Sequence, residues 1–339
     1  MHVESKTQQN NQTIRFHQTG SPDVLQEEWL HVKQPVADEI QIKHHAIGLN
    51  FIEVYLRTGL YTTQLPACPG TEAAGEVVAV GEAVKDFKVG DRVAYATGPI
   101  GAYCAVRNLP AQHAIQLPDA ISYELAACMM LKGLTAQYLL RRVYPVSAQD
   151  TILFHAAAGG VGSIACQWAK ALGATVIGTV STQEKAKIAS ANGCDHVVVI
   201  NQEPFSEQVK AFHDGKGLPV VYDSIGQATF VDSLNCLRPR GLMVSFGNAS
   251  GPVDPIPLSM LAQRGALFLT RPTLAAFTSE RHELLESANE LFDMVLSNQI
   301  KIKVNRTYPL SQAARAHSAL ENRHTTGCTV LIPDYLIKL

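Results

Sequence analysis

The stretch His155-Ala156-Ala157-Ala158-Gly159-Gly160-Val161-Gly162 constrains this chain more than any other. The apolar run Thr151-Ile152-Leu153-Phe154 leads into it. A helical pattern follows, with Val161, Ile164, Ala165, Trp168, Ala169 and Leu172 on one face and Gly173 placed to end it. The next run, Thr175-Val176-Ile177-Gly178-Thr179-Val180, reads as a second buried strand. Strand, glycine-rich turn, helix and strand in that order form a unit whose turn amides and helix N-terminus face a pyrophosphate. Gly159 would let the backbone approach the phosphates, and Gly162 would let the helix sit close on the strand. Ala157 stands where the first glycine of the G-x-G-x-x-G pattern usually lies, so the fingerprint is imperfect. A plain tight turn in an α/β core is the competing reading.

The end of the second strand bears on which dinucleotide would fit. An acidic residue about 20 positions past the glycines grips the ribose hydroxyls of NAD. Here the chain reads Ser181-Thr182-Gln183-Glu184-Lys185, two hydroxyls and, a helical turn on, a lysine. That set suits a 2′-phosphate better than a free hydroxyl and favours NADPH over NADH. One charge-assisted bond from lysine contributes about 1.5–3 kcal/mol. Two alternatives compete: Ser181 as a helix N-cap with Glu184 completing a capping box, and Lys185 as a solvated surface charge.

Upstream, residues 39–47, 75–80, 91–95 and 103–107 are short β-like runs separated by turn signals at Gly70, Gly81, Gly90 and Pro110. They predict a compact, mostly antiparallel β domain. The pattern turns helical over 122–131 and 135–144. Further buried strands are expected at 196–200, 220–224, 242–246 and 266–270, with helices at 183–192, 205–213 and 227–237 between them. Six strands with crossover helices predict a doubly wound parallel sheet, an α/β Rossmann arrangement. Residues 280–298 read as a long amphipathic helix, and 301–331 as short pieces that return to the first domain. Residues 1–13, rich in Gln, Asn and Thr, read as a frayed tail without the apolar core of a signal peptide.

Of the 339 residues, 28 are basic and 30 acidic, so net charge gives no reason to expect a nucleic-acid or membrane partner. Seven scattered cysteines without a Cys-x-x-Cys pair argue against a disulfide framework and for a reducing, cytoplasmic setting. No apolar stretch is long enough to span a bilayer.

Several segments together resemble the NADPH:quinone oxidoreductase (zeta-crystallin-like) branch of the medium-chain dehydrogenase/reductase superfamily, a zinc-free branch. They are Ala46-Ile47-Gly48-Leu49-Asn50-Phe51, Pro69-Gly70-Thr71-Glu72-Ala73-Ala74-Gly75, Phe87-Lys88-Val89-Gly90-Asp91-Arg92-Val93 and Leu131-Lys132-Gly133-Leu134-Thr135. The glycine turn, Tyr222-Asp223-Ser224-Ile225-Gly226 and Gly241-Leu242-Met243-Val244-Ser245-Phe246-Gly247 complete the set. The resemblance implies a discontinuous GroES-like catalytic domain, 1–133 with 273–339, and a Rossmann NADPH-binding domain at 134–272, with NADPH in the cleft between domains. It places Asn50, Tyr55 and Tyr61 at the nicotinamide end, and Tyr138, Gly160 and Val161 along the diphosphate and ribose. Ser181 and Lys185 would take the 2′-phosphate, while Ile225, Gly247, Asn248, Thr273 and Arg323 would complete the cofactor wall. Gln202 replaces the tyrosine often found after the third-strand Ile-Asn. A homodimer through the sheet edge near 266–270 is also implied.

Zinc-bearing members carry cysteine where this chain has Asn50 and histidine where it has Thr71. A catalytic zinc needs about three Cys, His or carboxylate ligands, and a structural zinc about four thiolates, whereas Cys104 is alone in its region. No metal is expected, and the pair His44-His45 is read as strand neighbours pointing to opposite faces. Without a Lewis acid for an alkoxide, alcohol oxidation is disfavoured, while electron-poor quinones ask mainly for positioning. Tyr55 and Tyr61 could stack on or protonate a substrate, or be core aromatics with satisfied hydroxyls. Lys132 and Arg323 have the surface salt bridge as their ordinary alternative. NADPH-dependent quinone reduction leads. An enone or alkenal reductase and a non-enzymatic, crystallin-like NADPH- or RNA-binding protein are the competing functions.

Overall fold

A computed structural model describes residues 10–200, 204–322 and 325–337. The chain divides into two compact units, one of Met1–Leu131 with Lys303–Leu339 and one of Lys132–Ile302.

The first unit opens with an antiparallel pair, β1 (Asn10–Arg15) and β2 (Gln26–His31). Residues 10–13 are therefore not a frayed tail. The buried Asn11 amide donates to the Val106 carbonyl at 2.8 Å and accepts the Val106 N–H at 2.7 Å, so its side chain stitches the strand down as a backbone group would. Ile14 is buried just beyond it. There follow β3 (Glu39–Gly48), α1 (Phe51–Thr58), β4 (Ala73–Val80), β5 (Arg92–Tyr95), β6 (Val106–Pro110) and β7 (Ile115–Gln116). The strand expected at 103–107 begins later, because 102–104 turn locally, with the Cys104 N–H on the Ala102 carbonyl. Strands β3, β4, β5 and β7 pair in sequence, and β6 pairs with β3, all antiparallel. Their inward residues, among them Ile40, Ile42, Ile47, Val77, Val93 and Tyr95, form the core. His44 and His45 face opposite ways as expected of strand neighbours. His44 bonds the Cys104 carbonyl and the Tyr95 hydroxyl, while His45 stacks on Tyr123 at 4.2 Å.

One helix, α2 (Tyr123–Tyr138), replaces the two expected over 122–144. Gly133 does not break it: a methyl there would come within 2.6 Å of Leu291, so the glycine serves close packing. The helix widens into a π turn at Leu139–Val143. Lys132 is buried rather than a surface charge.

The second unit alternates strand and helix: β8 (Thr151–Phe154), α3 (Gly160–Ala171), β9 (Thr175–Val180), α4 (Gln183–Ala191), β10 (His196–Val199), α5 (Ser206–Ala211), β11 (Leu218–Asp223), α6 (Phe230–Asn235), β12 (Leu237–Ser245), α7 (Ser259–Gln263) and β13 (Phe268–Thr270). The strands lie in the order β10-β9-β8-β11-β12-β13, all parallel. That is the doubly wound order 3-2-1-4-5-6, whose ligand crevice lies at the carboxyl end of the first strand, where the strand order reverses. Two more helices, α8 (Leu274–Phe277) and α9 (Arg281–Leu296), complete this unit. The boundary at 302 differs from the sequence boundary at 272 by the segment carrying α8 and α9. The reason is packing: Leu291 lies on Gly133, and Glu290 takes bonds from Gln137 and Arg141 at 2.8 Å each.

The chain then returns to the first unit with β14 (Val304–Pro309), α10 (Ala313–Glu321) and β15 (Cys328–Ile332). Strand β15 pairs with β3 through Val330↔Gly48 and Leu331↔Ile47.

Candidate functional site

Residues singled out in the sequence fall into two groups, one in each unit. In the first unit Asn50 caps α1, and the Glu53 carboxylate accepts the Asn50 backbone N–H at 2.7 Å. Glu53 also takes the Thr71 amide at 3.1 Å and hydroxyl at 2.7 Å. The Asn50 side-chain amide donates to Glu72 at 2.9 Å, and the other Glu72 oxygen takes the Leu131 N–H at 2.7 Å. Both carboxylates are fully buried. Gly48 makes room for Glu72, since a methyl there would sit 2.1 Å from its oxygen. The two positions expected to lack zinc ligands thus carry an amide and an alcohol engaged with carboxylates. Glu53 and Glu72 were missed by sequence reasoning, although Asn50-x-x-Glu53 has the capping-box spacing. Among the described residues no group of three or more His, Cys, Asp or Glu is placed to hold a metal.

Tyr55 lies one turn after Phe51 on α1, ring centroids 6.1 Å apart, and meets Tyr61 edge-on at 5.2 Å. The Tyr61 amide bonds the Tyr55 carbonyl at 3.0 Å, so the chain after α1 folds back to pair the two rings. Both are half-buried. Asn50, Tyr55 and Tyr61 therefore belong to one helix and its exit.

In the second unit the turn joins the carboxyl end of β8 to α3. Ala156 takes a left-handed φ of 52°, and Gly159 caps the helix. A methyl on Gly162 would lie 2.3 Å from the Ala156 carbonyl oxygen, and one on Gly159 would lie 3.0 Å from it. The helix can start this close to the strand only with glycine at 162. The first N–H groups of a helix have no partner within it and suit an anion, and here they belong to Gly160, Val161 and Gly162. Ala157 is accommodated across the sheet. Its methyl would be 2.7 Å from any methyl on residue 178, which is Gly178. The glycine missing from the turn is supplied by the neighbouring strand. The cradle fits a dinucleotide diphosphate.

Ser181 is exposed at the end of β9, and Lys185 stands on the first turn of α4. The N-cap is Thr182, whose hydroxyl accepts the Lys185 N–H at 3.2 Å. The alternative of Ser181 as cap is thereby corrected, leaving its hydroxyl outside the cap. Ile225 donates its N–H to Asp223 at 2.7 Å. Gly247 passes so close to Ser224 that a methyl would lie 2.4 Å from its carbonyl oxygen. Arg271, missed by sequence reasoning and without a local signal, donates to the carbonyls of Ser245 and Gly247 at 3.2 and 2.9 Å. With its amide oxygen turned to Arg271, Asn248 accepts at 3.1 Å and donates to the Gly247 carbonyl at 2.9 Å. Thr273 caps α8. Tyr138 is buried and stacks on Phe277 at 4.9 Å, and burial pushes its phenol pKa up. Arg323 and Gln202 lie outside the described residues.

A GroES-like β unit and a doubly wound sheet bearing a glycine cradle define the alcohol-dehydrogenase-like class. Residues 36–146 match the alcohol dehydrogenase GroES-like domain family, and residues 160–291 match the zinc-binding dehydrogenase family. Within that class the chain is 52% identical to a quinone oxidoreductase of Salmonella typhimurium and 50% identical to one of Pseudomonas aeruginosa. In both, 94% of this chain and 99% of the relative are covered. The crystal structure of Escherichia coli quinone oxidoreductase complexed with NADPH superposes with a TM-score of 0.94 at 50% identity, covering 95% of this chain and all of that one. The chain belongs to the quinone oxidoreductase family of the medium-chain dehydrogenases/reductases.

Proposed function

We propose that this chain is an NADPH:quinone oxidoreductase that needs no metal. The observation carrying that reading is the identity of about half its residues, over nearly the full length of both chains, with quinone oxidoreductases. NADPH supplies the hydride when bound. The amides of Gly160, Val161 and Gly162 hold its diphosphate, which Gly159 lets the backbone approach, and Ser181 with Lys185 holds its 2′-phosphate. Ile225, Gly247, Asn248 and Thr273 are assigned to its wall and Tyr138 to the flank of its diphosphate and ribose, while Arg323, assigned to the same wall from the sequence, lies outside the described residues. Arg271 fixes the Gly247 carbonyl and so braces that wall.

Asn50, Tyr55 and Tyr61 serve the nicotinamide and acceptor end. The edge-on pair of Tyr55 and Tyr61 offers a flat quinone an aromatic wall, and either phenol is chemically able to donate a proton. Asn50 and Thr71, bonded to Glu72 and Glu53, leave an amide and an alcohol where zinc would need its ligands. The domains carry these roles as drawn from the sequence, a GroES-like catalytic part and a Rossmann NADPH-binding part. The protein is cytoplasmic, takes a small-molecule quinone rather than nucleic acid, and pairs into a homodimer through β13, whose Phe268 is 61% exposed and Leu269 40%.

Opposite kinetic signatures test these roles. Lys185→Glu should raise the KM for NADPH about tenfold or more and leave saturated turnover nearly intact. Tyr55→Ala or Tyr61→Ala should lower turnover with little change in NADPH affinity. Tyrosine variants that lose NADPH affinity at unchanged turnover would contradict the assignment.

A further inference from the structure

Beneath the glycine turn lies a buried polar chain that the reaction itself does not use. His155, Asp223 and Ser233 are fully buried, and Thr179 is 1% exposed. The Ser233 hydroxyl donates to Asp223 at 3.0 Å, and Thr229 donates to the same carboxylate oxygen at 2.7 Å. The other oxygen accepts the N–H groups of Ile225 and Gly226 at 2.7 and 3.1 Å. His155 Nε2 is 2.9 Å from the Ser233 oxygen, and Nδ1 is 2.8 Å from the Thr179 hydroxyl.

The proton positions follow from donor capacity. A carboxylate only accepts, so the single Ser233 proton points to Asp223 and the Ser233 oxygen is left to accept from His155 Nε2–H. A neutral ring then has a bare Nδ1, which accepts from Thr179 O–H. Burial lowers the His155 pKa and keeps the ring in that neutral form. The chain is directional: Thr179 to His155 to Ser233 to Asp223.

Each end of the chain leads to a segment assigned above to the cofactor. His155 opens the glycine turn, Thr179 lies two residues before Ser181, and Asp223 orders the Ile225–Gly226 loop. We propose that His155 is a positioning residue that ties these three segments together, setting NADPH affinity and the preference for NADPH over NADH through them. The inference rests on the NADPH reading of the site.

Thr179→Val keeps the shape of the side chain but removes the donor and leaves Nδ1 unpartnered in the core. It should raise the NADPH dissociation constant about tenfold and that of NADH by less than about threefold, because the 2′-phosphate end is the one released. Turnover at saturating NADPH should stay within about twofold, and Thr179→Ser, which restores the hydroxyl, should behave as the unmodified protein. Titration of dihydronicotinamide fluorescence reads both constants. Unchanged NADPH affinity in Thr179→Val, or an equal loss for both cofactors, overturns the positioning role while the cofactor reading stands. An unmodified protein that binds no NADPH overturns both. If Thr179→Val does not fold, Thr179→Ala removes the same donor from Nδ1 and is held to the same outcomes.

Discussion

Buried ionisable side chains couple this molecule to pH through single residues. His317 on α10 is fully buried, its Nε2 3.1 Å from the Tyr103 hydroxyl. Burial, and after it the Arg57 guanidinium, brings its pKa down to about 3. An unfolded histidine takes its proton near 6.5, roughly. Between those values the unfolded chain binds one more proton than the folded one. Stability is untouched by this group above about pH 6.5 and falls as pH drops from there toward 3, by about 1.4 kcal/mol per pH unit. His317→Gln should therefore flatten the dependence of unfolding free energy on pH between 6 and 4 by about one proton. Denaturant melts across that range check it, and an unchanged slope would contradict it. At this scale the sequence was only partly readable. Asn50, Thr71 and Lys185 could be picked out by their chemistry, but Thr182 rather than Ser181 caps α4 because backbone angles decide between adjacent hydroxyls. Arg271 gave no signal, because its partners are carbonyls brought near only by the sheet.

Elements were legible where one periodicity ruled. Strands β8 to β13 are separated by helices and all six are found where alternation of strand and helix expects one, although β12 begins at Leu237, five residues before the expected 242, through the polar Arg238–Arg240. Strands β1 and β2 were not legible, since Asn10, Asn11, Gln12 and Thr13 look like tail composition. Contacts distant in sequence make them strand, among them Asn11 with Val106, 95 residues away, and the Ala105 N–H with the Gln12 carbonyl at 2.8 Å. The seat of α3 is the element on which the cofactor reading depends most. Gly162→Ala would place a methyl 2.3 Å from the Ala156 oxygen and push the helix off the turn. Overpacking of this kind costs about 1–3 kcal/mol. The variant should melt at least about 2 °C lower and lose the upward shift in Tm that NADPH gives the unmodified protein. A normal NADPH-induced shift in Gly162→Ala would show that the turn does not hold the diphosphate.

For the molecule as a whole, chain order mattered more than local pattern. The return of β14 and β15 to the first unit is set by pairing of β15 with β3, across some 280 residues of sequence, and it was legible in the short pieces of 301–331 and in the family resemblance rather than in any local period. Helix α9 clusters with the second unit because of Gly133 and Gln137 on α2 and Arg141 in the π turn that follows it, contacts that no periodicity in 280–298 announces. Assembly is a property of the same scale. Phe268→Lys, on the exposed edge strand, should convert a homodimer to a monomer in light scattering at micromolar protein. An unmodified chain that is already monomeric there would remove the proposed interface. The central claim is the choice of electron acceptor. It is tested most directly by the decay of NADPH absorbance with purified, metal-chelated protein against a panel of simple quinones, enones, and saturated ketones and aldehydes. Consumption of NADPH should require an added acceptor, run fastest with quinones and survive chelation. Quinones that give no rate above the acceptor-free blank while an enone does would contradict the account and make the protein an enone reductase.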